Sequence, residues 1–171
     1  MCASAVIIAP MDINLLSAIL WGLFATGLLT IIMVGSQGLG WSRMSLPFLI
    51  GTAFSSKRRT AVIAGALFHF SAGCVFAILY ALVFEQWNRV SIWLGLSLGL
   101  YHGLFMLVVV VSLLPAIHPR MAGKHHGPAP FPQLEPPGFL GIHYGLRTPL
   151  ITMTAHLVYG ATLGAFYQLN S

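Results

Sequence analysis

Four stretches of this chain, residues 14–35, 61–84, 91–114 and 149–169, run for roughly 20 residues each without one Asp, Glu, Lys or Arg. That is the length of helix needed to cross a hydrocarbon layer about 30 Å thick. In such a layer the backbone must satisfy its own hydrogen bonds, so helix is the conformation open to segments of this length. The expected fold is therefore an all-α integral membrane protein with four transmembrane helices. The remaining residues are too few for a separate soluble domain, so 1–171 reads as one domain. With only 6% charged residues against 57% hydrophobic ones, the chain lies far from soluble domains, which carry roughly a quarter charged residues.

The N-terminal CASAVIIAP is apolar but lacks a positively charged start and a small-residue cleavage site, so the first helix is read as retained, with Met11 a second candidate start. Cys2 and Cys74 offer no disulfide framework, one being near the terminus and the other inside a span.

The net charge of +5 is topological. Arg43, Lys57, Arg58 and Arg59 fall in the connection 35–60, and Arg120, Lys124 and Arg147 in the connection 115–148, whereas the short turn between the second and third spans holds Arg89 alone. The positive-inside rule then places both long connections in the cytoplasm and both termini outside it, in a bacterial plasma (inner) membrane. No aromatic-interleaved basic patch favours nucleic acid as a partner. The expected partner is the lipid bilayer, with other membrane subunits or self-association left open.

The chain also carries an internal repeat. Residues 22–44, GLFATGLLTIIMVGSQGLGWSRM, align without a gap on residues 99–121, GLYHGLFMLVVVVSLLPAIHPRM, and both end in Arg-Met. PFLIG and GFLG follow, then Arg59-Thr60 and Arg147-Thr148, then His69 and His156 at nearly equal spacing. Repeat halves of about 14–90 and 91–171, each with two spans, would keep one orientation and be related by a pseudo-twofold axis along the membrane normal. These same segments, GLFATGLLTIIM, LPFLIGTAF, HFSAGCVFAILYALVF and HPRM with EPPGFLG, resemble a group of small bacterial four-helix membrane proteins that share a domain of unknown function. That resemblance implies an architecture and no activity.

The second and fourth spans repeat one stripe. His69, Gly73, Ala77 and Tyr80 share a helical face, as do His156, Gly160, Gly164 and Tyr167. Gly73 with Ala77, and Gly160 with Gly164, are small-xxx-small pairs suited to close helix packing. Tyr80 and Tyr167 are expected near the far interface as aromatic anchors. The histidines are the chemically expensive part, because a polar group without a partner in hydrocarbon costs several kcal/mol. His102 in the third span lies somewhat deeper. Three readings stay open. The imidazoles can bond Thr26, Thr30, Ser71, Thr152 or a carbonyl as structural groups. His69 and His156 can ligate haem b across the axis, with Gly73 and Gly160 leaving room for the macrocycle. Or they can line a path for a proton, quinone or small solute.

The connection 115–148 holds seven of the ten prolines, so it is expected as extended or turning backbone, with an interfacial segment at GFLGIHYG. His118, His125, His126 and His143 offer imidazole donors there. Their irregular spacing without cysteine argues against a metal cage, and contact of Arg120 and Lys124 with anionic headgroups is the plainer expectation. No GxSxG, P-loop or HExxH pattern is present, so hydrolytic or transfer chemistry is not expected. The functional expectation is a structural or accessory, non-enzymatic membrane role, with a histidine-dependent carrier of electrons, protons or a small solute as the alternative.

Overall fold

A computed structural model of the chain describes residues 12–122 and 133–170. The element order is α1 (Leu15–Gly38), α2 (Leu46–Phe54), α3 (Arg58–Gln86), α4 (Ile92–Phe105), a π segment (Met106–Val110), α5 (Val111–Ile117), a 3₁₀ segment (Phe139–Tyr144) and α6 (Thr148–Phe166). Among the described residues there is no strand, only an isolated bridge between Met121 and Leu134. Local chemistry sets the ends. The Asn14 side chain accepts from the Ser17 N–H at 3.0 Å to start α1, and the Ser91 hydroxyl accepts from the Leu94 N–H at 3.2 Å to start α4. Pro47 and Pro149 stand in the first turns of α2 and α6, where a missing N–H costs nothing.

Three stretches are long and apolar enough to cross a membrane: Leu15–Gly38, Arg58–Gln86 and the continuous Ile92–Ile117. The fourth expected span, α6, is not among them. It is 19 residues long and carries Thr148, Thr152, Thr154, Thr162 and His156, and ten of its 19 residues are buried. Its polarity belongs to a helix surrounded by protein, since α3, at 29 residues, buries only six. The other long helices show the converse pattern: Leu16, Ile31, Leu67, Trp93 and Tyr101 are all exposed on the outside of the bundle. An exterior this apolar suits a hydrocarbon surrounding.

α1 and α6 form the middle of the bundle, with α3 beside α1 and α4 beside α6. Glycines set how closely these neighbours approach. Gly95 and Gly99 on α4 lie against Gly160, Gly164 and the His156 backbone on α6, so close that a Cβ on Gly95 would strike the Gly160 carbonyl. Gly22 on α1 faces Ala77 and Cys74 on α3, and Gly73 abuts the Thr26 side chain. A third contact, Gly51 against Gly65, lays α2 on α3. No helical signal marks α2 in the sequence. Nine residues are too few for a periodic signal, and α2 is held by packing on α3.

Two arginines connect the ends of the halves. Arg120 donates to the Thr52 and Ala53 carbonyls at the C-terminus of α2, and His118 Nε2 donates to the Leu49 carbonyl at 2.9 Å. Arg43 donates to the His143 carbonyl at 2.6 Å, at the end of the 3₁₀ segment, and its backbone N–H donates to the Tyr144 carbonyl at 2.6 Å. Each Arg-Met pair thus caps the short helix that belongs to the other half of the chain, supplying donors to carbonyls a helix end leaves bare. The following methionines, Met44 and Met121, are fully buried. Nη1 of Arg120 is thus engaged with α2. His125, His126 and Lys124 lie outside the described residues.

Replacing Gly160 with Ala should lower thermal stability in detergent by about 1–3 kcal/mol, because the new methyl meets the α4 backbone. Gly27, with nothing within 4 Å of a built Cβ, should tolerate Ala without loss. Equal melting temperatures for the two variants would refute the seam.

Candidate functional site

His69, His102 and His156 come from three helices and converge in the middle of the bundle. His156 on α6 is buried, and its Nδ1–H donates to the Thr152 carbonyl one turn earlier at 2.7 Å. A carbonyl only accepts, so Nδ1 carries the proton and, in the neutral ring, Nε2 is the bare nitrogen. His102 on α4 lies edge-on to His156, with ring centroids 4.6 Å apart. Its ring also stacks on Phe76 of α3 at 3.8 Å, and its Nδ1 is 3.4 Å from the Tyr80 hydroxyl. α3 and α4 otherwise touch only lightly, and His102 is the main side chain that joins them, with Phe105 6.4 Å from Phe76 beside it. Tyr159 of α6 completes the cluster, packing on both Tyr80 and His102 and donating to the Gly73 carbonyl at 2.5 Å.

His69 on α3 is placed differently. Its Nε2 is buried and has no hydrogen-bond partner, and the Thr152 hydroxyl is in the same condition. Both residues line a cavity of about 40 Å³ together with His156, Met106 and Thr30. An adjoining cavity of similar size shares His69, His156 and Met106 and reaches His102, Phe76 and Tyr159. A water needs roughly 10–15 Å³ measured this way, so each cavity holds about two to four. The first cavity continues to Gln37, Ser45 and Pro47, at the connection between α1 and α2. In the other direction, beyond Tyr80, stands fully buried Phe84, and past it Tyr167 donates to Glu85 at 2.7 Å.

The π segment begins four residues after His102, and its first residue, Met106, lines both cavities. Single-turn π segments recur where a helix is bent to serve a site. Here the wider turn falls in a run of four valines, 108–111, followed by Pro115 inside α5.

Several expectations need correction. Tyr80 is a core residue bonded toward His102, not an interfacial anchor, because α3 buries that face against α4 and α6. Among the described residues no imidazole bonds Thr26 or Thr30, whose hydroxyls donate to the Gly22 and Thr26 carbonyls of their own helix. Haem does not fit these residues. The space at Gly73 is filled by Thr26, the space at Gly160 by the α4 backbone, and His156 faces His102 across 4.6 Å. Sites for larger ligands run to roughly 300–1,000 Å³, far above the volume between these rings. Among the described residues no group of three His, Cys, Asp or Glu converges as a metal cage. Both nitrogens of His118 are engaged, Nε2 with Leu49 and Nδ1 with the Arg120 N–H at 3.2 Å, and His143 Nδ1 donates to the Pro136 carbonyl at 2.9 Å. His102 and Met106 carried little signal in sequence, because their partners lie on other helices.

Fold and site together define an all-helical chain with three helices able to cross a membrane and a small, histidine-lined chamber at its centre. Comparison with family models, with curated proteins and with solved structures gave no match.

Truncating His102 to Ala should cost on the order of 2–4 kcal/mol of stability, through loss of the Phe76 stack and the Tyr80 bond. The neighbouring Tyr101, 69% exposed, should accept Ala with little change. A His102→Ala protein as stable as the parent would remove His102 from the joint between α3 and α4.

Proposed function

We propose that this chain is a four-span integral membrane protein of two duplicated halves, resident in a bacterial plasma membrane, and that its histidine chamber relays protons or passes a water-sized solute. The observation that carries the reading is the pair of unpartnered buried groups, His69 Nε2 and Thr152 Oγ1, on one cavity wall. Native interiors rarely leave such groups unpaired unless water or a ligand meets them. Imidazole is the side chain whose ordinary titration lies nearest neutral pH, and with no carboxylate in the chamber wall it is the chamber's natural proton carrier. The volume favours water and protons over anything larger.

The finer architecture has its own support. α6 rises about 28 Å over 19 residues, enough for a bilayer when its polar residues are covered by neighbours. Each half runs long helix, short helix, long helix, and in each the leading helix presents a glycine, Gly22 or Gly99, to the histidine helix that follows. The reciprocal Arg43 and Arg120 caps suit a twofold relation.

The structural or accessory reading is favoured by a different observation. His156 and His102 are already engaged, by the Thr152 carbonyl and by Phe76. Reconstitution into liposomes with an internal pH dye separates the two. A relay gives proton uptake above protein-free vesicles, reduced several-fold by His69→Leu and by Thr152→Val with folding intact. If the parent protein gives no uptake, or His69→Leu matches it, the relay is wrong and the packing role stands.

Orientation is tested by impermeant thiol labelling in intact cells, in a chain freed of its other cysteines. Gln86→Cys, exposed at the C-terminal end of α3, should label, and Ala122→Cys should be protected. The reverse pattern would invert the topology.

A further inference from the structure

A separate groove lies on the outside of the bundle, where α1 and α6 meet near the connection between α1 and α2. It measures about 480 Å³, and Ile31, Leu39, Leu150 and Ile151 give it an apolar wall. The hydroxyls that border it are already used: Ser36 donates to the Met33 carbonyl at 2.7 Å and Thr154 to the Leu150 carbonyl at 2.9 Å. The groove therefore offers hydrocarbon contact along its length and a single charge, Arg147, at its end. The Arg147 guanidinium lies over the Trp41 ring, 5.3 Å from its centroid. Stacking holds the fork in place and leaves its N–H edge open.

Among the described residues no carboxylate pairs with Arg147. The whole chain has three acidic residues. Glu135 pairs with Arg43, and Glu85 accepts from Tyr167 and from the Asn170 N–H. Arg147 is also the N-cap residue of α6, whose first turn has no side-chain cap. Thr148 donates its N–H to the Gly145 carbonyl and Pro149 has none, so the helix end contributes chiefly its positive dipole to the preference for an anion there.

We propose that this groove binds one anionic phospholipid, its phosphate on Arg147 and the α6 N-terminus and one acyl chain laid along Ile31, Leu39 and Leu150. The charge and the apolar wall are matched to the two ends of one amphiphile. An inorganic phosphate would use only the first, and a neutral lipid only the second. The level also fits, since arginine and tryptophan at a helix end are interfacial anchors, and basic sites on the cytoplasmic side recruit anionic headgroups.

The test is native mass spectrometry of the full chain released from mild detergent, after equilibration with phosphatidylglycerol or phosphatidylcholine. The parent protein should retain one phosphatidylglycerol in preference to phosphatidylcholine, and Arg147→Gln should weaken that retention about fivefold. Arg89→Gln, at the opposite end of the bundle, should leave it unchanged. If Arg147→Gln does not fold, Arg147→Lys, which keeps the charge and loses the fork, should give intermediate retention. Equal retention of the two lipids, no effect at Arg147, or equal protection by inorganic phosphate alone would each overturn the proposal. So would a dimer of this chain whose formation excludes the lipid. None of these outcomes depends on proton movement.

Discussion

The contact between the α4 and α6 backbones at Gly95, Gly99, Gly160 and Gly164 is the constraint on which the rest of the bundle depends. Between helices in hydrocarbon, burial of apolar surface gives no net drive, so attraction must come from close dispersion contact and polar bonds. Removing side chains on both faces brings the backbones together, and that closeness puts His156 within ring contact of His102. A side chain at any of the four glycines would push α4 outward and carry His102 away from Phe76 and Tyr80. The packing seam and the polar site are one arrangement. The same glycines that look structural fix the geometry of the imidazoles.

The histidine cluster divides into engaged and open members. His102 and His156 spend their rings on neighbours, and this is how most buried polar groups persist in a dry interior. His69 and Thr152 differ because Nε2 of the one and Oγ1 of the other are buried without a hydrogen-bond partner, while both residues line the cavity. An empty apolar cavity can stay dry, but one edged by an imidazole nitrogen and a hydroxyl offers water the polar contacts it needs. Outside the spans the polar groups behave conventionally. Tyr144 donates to the Glu135 carbonyl at 2.5 Å, and burial, with the Glu135 carboxylate nearby, raises its phenol above the ordinary range.

Much of the helical framework was legible because length and apolarity act locally. The apolar run 14–35 became Leu15–Gly38 and 61–84 became Arg58–Gln86, each end moving by three residues or fewer. α6 was found as a helix, yet its threonines make it the least clear span, because polarity in sequence does not reveal how fully neighbours enclose it. The site was half legible. His69 and His156 stood out by repetition, whereas the central place of His102 depends on Phe76 and Tyr80, more than 20 residues away on another helix. The haem reading failed for a related reason. A glycine in sequence announces that something comes close without saying what, and at Gly73 and Gly160 the space is taken by Thr26 and by α4. The Thr52 and Ala53 carbonyls that Arg120 meets were not legible in sequence because they are long-range partners.

The crossed arginine caps have a consequence for biosynthesis. α2 is complete once residue 54 has emerged, but the guanidinium that satisfies its last carbonyls sits at position 120. While the ribosome adds the intervening residues, those carbonyls have to be met by water, headgroups or the insertion machinery. The first half therefore waits with α2 packed on α3 but with its end carbonyls still lacking their arginine until the second half arrives. The 3₁₀ segment has no such interval, since Arg43 is already present when residues 139–144 appear. Two similar caps thus close at different times, and a chain interrupted between residues 54 and 120 would expose bare carbonyls of a kind that quality control can recognise.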